Sequence, residues 1–465
     1  MKFSYFQIKE QQMQLFNKIK KVIHLMKEVD VNELAKISEK IDLSEIMKTV
    51  GELNESQLNG LMKMLTEKQK KGQSKLPPID GDFYDYDLKL SQEHREIQMK
   101  VRNFMEDEVE PIANTYWNKA EFPFEILSKL AKLNICGVAY KGYGCPDLPF
   151  VMEGIIAEEI ARVDVSISTF FGVHSGLAMG SIYLCGSEDQ KQEWLPKMQK
   201  LEAIGAFGLT EPNVGSAVAG GMETTCRIEG DEWILNGQKK WIGNATFADI
   251  TVIWARDEVS NQVKGFIVRT DNPGYKAEKI ENKMALRTVQ NAIITLTDCR
   301  VSEGDRLQHA NSFRDTAKVL RMTRAGVAWQ AVGCARGAYE SALKYTKKRE
   351  QFGKPIAKFQ LIQNHLVEML SNLTAMKSMV YRLSELQDQG LLTDEHASLA
   401  KVFCSMRTRD VVSRAREVMG GNGILLEYDV ARFVADAEAI YSYEGTKEIN
   451  SLIVGRAITG YSAFV

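Results

Sequence analysis

Residues 224–242 read TTCRIEGDEWILNGQKKWI, and the division of the whole chain follows from them. Thr224 to Ile228, Glu232 to Leu235 and Gln238 to Ile242 are short runs rich in branched and aromatic residues, set apart by turn residues. That alternation is the mark of strands. Glu229-Gly230-Asp231 separates the first pair of runs and Asn236-Gly237 the second. The Asn-Gly step predicts a hairpin, because both residues tolerate the positive φ of a tight two-residue turn. Ile250 to Ala255, Gly265 to Arg269 and Ala292 to Leu296 continue the pattern. Residues 206–305 therefore read as a central all-β module, a sandwich or barrel.

On both sides the pattern is helical. Residues 76–205 predict an N-terminal α domain, with helices over Ser91 to Val109, Phe150 to Arg162, Ser166 to Tyr183 and Glu188 to Leu201. Residues 306–465 predict helices over Thr316 to Arg349, Lys358 to Asp388, Thr393 to Met419 and Asp429 to Ile440. Short turns bearing Gly or Pro join them, as in an antiparallel four-helix bundle. The class is α+β and multidomain.

Residues 1–75 form a predicted helical extension and linker. Leu15, Ile19, Val22, Ile23 and Met26 recur at helical spacing, as do Leu58, Leu61, Met62 and Leu65. The stretch carries 14 lysines, no arginine and 10 acidic residues. It reads as an appendage packing on its own body or a neighbour. A docking or membrane-surface role is the alternative, weakened by the interspersed acids.

The chain has 465 residues, 44% of them hydrophobic, enough for a sizeable core. A net charge of −2 gives no reason to expect nucleic acid or an anionic membrane as partner. Seven scattered cysteines without a CxxC pair argue for reduced conditions and against a cysteine-based zinc site. The six histidines form no HExxH, so no metal is expected. No apolar run is expected to approach the length of a membrane span. A start that carries Glu10, Glu28 and Asp30 and lacks an apolar core does not read as a signal or transit peptide. A soluble cytoplasmic protein is the expectation.

Five stretches carry chemistry. Tyr441-Ser442-Tyr443-Glu444-Gly445-Thr446 sets one carboxylate between aromatics and a glycine. Burial there would raise its pKa and suit it to general-base work, although a glutamate at a helix start also serves as a dipole partner. GAFGLTEPNVGS at residues 205–216 offers amides and hydroxyls to polar ring edges and a pyrophosphate, or is an ordinary loop. KKWIGN at 239–244 could lay an indole against a flat ring, or the Trp could be core. REQFGKP at 349–355 places an arginine at a helix end, for a phosphate or for the helix dipole. MGGNG at 419–423 is a C-cap or a close approach for a cofactor. No GxGxxG follows a strand, so a Rossmann site is unsupported.

In this order and at these separations the stretches resemble the acyl-CoA dehydrogenase family, from about residue 85 to the C-terminus. The branch holding glutaryl-CoA dehydrogenases and plant short-chain acyl-CoA oxidases is the most similar. The resemblance implies a flavoenzyme of fatty-acid β-oxidation, with FAD between the β module and the bundle. Phe207, Leu209, Thr210, Ser216, Trp241 and Gly243 would line the flavin and its pyrophosphate. Arg349, Phe352, Gln360 and the stretch from Glu417 to Gly420 and Gly421 would bind the adenine half across a subunit interface. Thr446 and Glu448 would also touch FAD. Glu444 falls on the catalytic base that takes the α-proton of an acyl-CoA, while Ser216, Arg324 and Gly445 border the acyl group. A homotetramer is implied.

Two departures bear on the reaction. Glutaryl-CoA dehydrogenases carry an arginine where Ser168 stands, and a buried carboxylate without a cation would be costly. Phe170 and Phe171 would shorten the pocket if they face it. Together these point to a short or branched monocarboxylic acyl chain. Gly243 stands where many dehydrogenases have threonine, which leaves electron-transfer flavoprotein and oxygen both open as acceptors. A short-chain acyl-CoA oxidase and a non-catalytic flavoprotein scaffold are the rival readings. Removing residues 1–75 is expected to leave soluble, yellow, active protein. Loss of flavin absorbance per mole of truncated chain would contradict that.

Overall fold

The computed structural model describes residues 81–463, so the expectations on residues 1–75 lie outside the described residues. The chain divides into two compact units, Met1–Leu76 and Pro77–Val465, and the described residues all belong to the second.

Helix α1 (Gln92–Phe104) starts at Ser91, whose Oγ accepts the His94 N–H at 3.1 Å. This satisfies one of the orphan donors of the first turn. A π turn carries it into α2 (Glu110–Lys119). Helices α3 (Phe150–Val163), α4 (Val165–Cys185) and α5 (Glu188–Gln199) follow. Asp164 caps α4 by accepting the Ile167 N–H at 2.9 Å, and its other oxygen takes Arg432 at 2.7 Å. Contrary to expectation, α4 is long and apolar enough to cross a membrane by length and composition. Within the fold 83% of its apolar window is buried, so its apolarity serves the protein core.

The middle of the described chain is one seven-stranded sheet. Its strands are β1 (Gly205–Gly208), β2 (Thr225–Glu229), β3 (Glu232–Ile242), β4 (Ile250–Asp257), β5 (Val263–Arg269), β6 (Tyr275–Lys279) and β7 (Ala292–Ser302). The order is β1-β4-β2-β3-β7-β6, with β5 paired to β4. Two sequence readings change here. Residues 205–208, read as the start of a loop, form β1 and pair parallel with β4. Asn236-Gly237, read as a hairpin, lies inside the single strand β3 as a register shift opposite β7. The turn lies at the preceding Glu229-Gly230-Asp231 break, where β2 pairs antiparallel with β3. At Gly237 φ is 142°, and a Cβ there would lie 2.7 Å from Thr224 Cα. The Asn-Gly step therefore serves a bulge that draws two backbones together.

The C-terminal helices are α6 (Phe313–Lys348), α7 (Gln360–Asp388), α8 (Asp394–Val418), α9 (Val430–Ser442) and α10 (Lys447–Thr459). A short β-hairpin at 350–355 joins the first two of the four expected helices, and α10 extends the set. Helix α3 lies against α6 so closely that a Cβ at Gly333 would meet Glu158 O at 2.3 Å, and one at Gly337 would meet Arg162 O at 2.1 Å. Its Ile156 and Ile160 enter the core shared with the sheet, while Met152 and Ile155 enter the core of the C-terminal helices. Gly237→Ala is expected to destabilise the protein by about 1–3 kcal/mol, the usual cost of overpacking. A urea midpoint equal to that of the parent would contradict the bulge account.

Candidate active site

The first wall of the site is built on the sheet. Lys239, on β3, is fully buried, and its Nζ donates to Glu211 Oε1 at 2.8 Å and to Leu209 O at 3.1 Å. Glu211 also accepts the N–H groups of Glu223 at 2.6 Å and Thr224 at 2.8 Å. Burial pushes the Lys239 ammonium down to about 8 against the pull of Glu211. Burial opposes the Glu211 charge, but Lys239 and the surrounding donors outweigh it and hold the carboxyl below its ordinary value. This pair fastens the 205–216 stretch to β3. His174 fastens its start: Nδ1 accepts the Gly205 N–H at 3.1 Å and Nε2 contacts Met198 O at 2.9 Å. Burial drives that ring down to about 4, so it stays neutral with the proton on Nε2.

Trp241 closes this wall at the end of β3. It has a φ of 67° and is 54% exposed, unusual for a Trp on a strand. Ser216 lies on an exposed loop, while Leu209 and Gly243 are buried. Phe207 is buried with its ring 6.2 Å from that of Trp254. The space above Gly243 is narrow, since a Cβ would meet Val173 Cγ2 at 3.2 Å.

Val173 and Gly176 lie in a π-helical turn of α4, Gly172–Ala178. Such turns recur at functional sites. A Cβ at Gly176 would stand 3.3 Å from Thr323 Cγ2 on α6. Thr323 Oγ1 in turn donates to Glu444 Oε2 at 3.1 Å. A turn of α4 and then Thr323 of α6 thus link the Trp241–Gly243 bend to the Glu444 carboxylate.

Glu444 lies between α9 and α10, with φ 54°. It does not cap the helix: Thr446 does, its Oγ1 accepting the Ile449 N–H at 3.2 Å. Glu444 is half-buried, and burial raises its pKa above the ordinary carboxylate value. Arg324, the Thr323 hydroxyl and Lys401 hold that rise back. Arg324 Nε is buried and meets no hydrogen-bond acceptor among the described residues. Gly445 has φ 83°, and a Cβ there would touch Asn450 Nδ2 at 2.9 Å, so glycine is required. Tyr443 hydrogen-bonds Gln330, which reaches Thr169 on α4 at 3.1 Å.

Sequence reasoning missed Thr323, Lys401, Asn450, Gln330 and the Lys239–Glu211 pair. Lys401 had a signal, for it stands on α8 in a stripe of small residues with Ala397, Ser405 and Thr408. A lysine there is unlike its neighbours.

The remaining expected residues lie elsewhere. The Ser168 hydroxyl faces Ala157 O at 3.4 Å within the N-terminal helices. Phe170 packs among Phe122, Phe247 and His174, so it belongs to the core and does not shorten a pocket. Phe171 is buried in the same core. Arg349, Phe352, Gln360, Glu417, Gly420 and Gly421 are exposed, Phe352 at 92%. Arg349 lies 26 residues beyond Thr323 at the end of α6, roughly 39 Å along its axis at about 1.5 Å per residue. Glu448 is exposed in the first turn of α10.

Family models of the acyl-CoA dehydrogenase N-terminal, middle and C-terminal domains match residues 91–202, 206–299 and 313–459. The chain belongs to the acyl-CoA dehydrogenase family, and so is an oxidoreductase of a family that binds FAD. It is 36% identical to a 3-(aryl)acrylate reductase of Clostridium sporogenes, over 78% of this chain and 98% of that protein. It is 35% identical to the CarC subunit of the caffeyl-CoA reductase–Etf complex of Acetobacterium woodii, over 78% and 98%. The crystal structure of glutaryl-CoA dehydrogenase from Mycobacterium smegmatis superposes with a TM-score of 0.80 at 37% identity, covering 83% of this chain and 99% of that one. The structure of a glutaryl-CoA dehydrogenase from Mycobacterium smegmatis in complex with FADH2 is similar too, at 35% identity. The residues here fit such a group: an exposed indole for a flat ring, and an exposed, hydroxyl-bearing loop at 212–217 for a pyrophosphate.

Lys239→Met is expected to destabilise the protein by about 3–5 kcal/mol, because it leaves Glu211 buried without its cation. Flavin retention should fall with it. Normal flavin content and an unchanged urea midpoint would contradict the role of the pair.

Proposed function

We propose that this enzyme dehydrogenates a monocarboxylic acyl-CoA thioester, straight or branched, between its α and β carbons, with Glu444 removing the α-proton. The observation that carries the reading is the half-buried Glu444 carboxylate, linked through Thr323 and a turn of α4 to the Trp241–Gly243 bend. Bound FAD would supply the acceptor for the β-hydride. Phe207, Leu209, Thr210, Ser216, Trp241, Gly243 and Thr446 would hold its flavin half, Phe207 through its backbone because its ring is taken by the core.

The chain's own groups then do the acid–base work. A carboxyl with a raised pKa keeps a proton taken from carbon more readily than an ordinary one. Thr323 holds one carboxylate oxygen, and Arg324 sets a cation beside it. The position of Arg349, far along α6 from Thr323, supports binding of the adenine half by a second copy of the chain, and hence an oligomer. Ser168 in place of an arginine, its hydroxyl turned to Ala157 O, supports an acyl chain without a distal carboxylate.

Electron-transfer flavoprotein is the proposed acceptor, in line with the Etf-complexed relative. Oxygen is the second reading, favoured by Gly243. Anaerobic titration with straight and branched acyl-CoAs of four to eight carbons or so, followed by air, separates them through peroxide release.

Glu444→Gln is expected to retain flavin and to slow flavin bleaching by acyl-CoA about 10²–10⁴-fold or more. In the parent, the rate should climb with pH through a limb above the ordinary carboxylate range, because the base acts only when ionised. Bleaching by Glu444→Gln at the parental rate would remove Glu444 from the role.

A further inference from the structure

Lys401 is a fully buried cation that the reaction does not consume. Its Nζ donates to Tyr441 O at 2.8 Å and to Gly445 O at 2.8 Å. Those carbonyls flank Glu444 on either side. We propose that Lys401 is the positioning residue for the base: from α8 its ammonium clasps the chain before and after Glu444 and so holds that residue in its left-handed conformation. The inference rests on the reading of Glu444 as base.

Three features support it. A non-glycine residue at φ 54° is strained and persists only where its surroundings over-determine it. A second clamp shares the load from α10: Asn450 Nδ2 donates to Gly445 O at 2.8 Å and to Thr446 O at 3.1 Å, and lies 3.4 Å from Glu444 O. Burying an ammonium is costly, so two carbonyls alone are a poor return unless a nearby negative charge is part of the arrangement. That charge is Glu444, with Glu448 beyond it.

The charged and titratable groups around the base are Arg324 from α6, Lys401 from α8, Tyr443 beside it in the chain, and Glu448 from α10. Burial pushes Lys401 down to about 8, with Glu444 pulling it back up and Arg324 adding to the fall. Below that value Lys401 is a cation and favours ionised Glu444. Removing its charge therefore raises the pKa of Glu444, and the acid limb of the rate profile moves to higher pH.

Three variants test this in the full-length, flavin-loaded enzyme. Lys401→Gln keeps a donor and removes the charge, Lys401→Met removes both, and Lys401→Arg keeps the charge. The readouts are flavin content, the dissociation constant of a non-oxidisable acyl-CoA analogue followed by flavin absorbance, and the anaerobic bleaching rate against pH. Lys401→Met is expected to bleach about 10²-fold more slowly, with analogue binding within about threefold of the parent. This is the range for a misplaced base. Lys401→Gln should fall between the two and show its acid limb at higher pH, and Lys401→Arg should recover part of the rate. Parental rates and pH profiles in Lys401→Met and Lys401→Gln would overturn the proposal. So would loss of flavin and of melting temperature in all three variants, which would make Lys401 a packing element only. The base assignment is tested separately by Glu444→Gln: if that variant is inactive while Lys401→Met is normal, only the clasp falls.

Discussion

The close crossing of α3 and α6 is the constraint on which the rest depends. Glycines 333 and 337 let the two backbones touch, and the contact brings buried charges face to face. Arg336 Nη1 reaches Glu158 at 2.7 Å and Glu159 at 3.3 Å, Arg102 reaches Glu159 at 2.6 Å, and Lys377 closes the group from α7 at 2.5 Å from Glu158. Charges so deeply buried are tolerable only as a satisfied set, and removing one member leaves its partner stranded. The crossing fixes the direction of α6, and α6 carries Thr323 and Arg324 to the Glu444 loop.

The Glu444 loop is a joint made from several elements. Helix α9 delivers Tyr443 and Glu444, α6 delivers Thr323 and Arg324, α8 delivers Lys401, and α10 delivers Asn450. Each contact is modest by itself. Together they hold a glutamate in a backbone conformation it would not choose alone, with its carboxyl half out of water. Strain of this kind costs on the order of 1–3 kcal/mol, and the surrounding hydrogen bonds offset it. The wall that ends in Trp241 is held in the same way, by a buried pair (Lys239 and Glu211) and a neutral histidine instead of by apolar packing alone.

Much of this was legible in the sequence because it is local. The long helices follow from 3.6-residue periodicity, and most strands from short runs between turn residues. Asn236-Gly237 misled because the same dipeptide serves a bulge as well as a hairpin; only the approach of Thr224 tells them apart. The Glu444 motif was visible, and so were the 205–216 loop and the Trp241 indole. What joins them was not. Lys401 is 43 residues from Glu444 and Lys239 is 28 from Glu211, separations that only the folded chain closes. Phe170 looked like a pocket residue, but its ring is claimed by Phe122 and Phe247, which no short window reveals.

The central claim is that Glu444 exchanges a proton with the α-carbon of an acyl-CoA. The direct measurement is enzyme-catalysed exchange of the α-hydrogens into D2O, followed by NMR on a short acyl-CoA analogue that binds but cannot be oxidised. Exchange by the parent protein and none above background by Glu444→Gln, at equal flavin content, is the predicted result. Equal exchange by the two proteins would contradict the account.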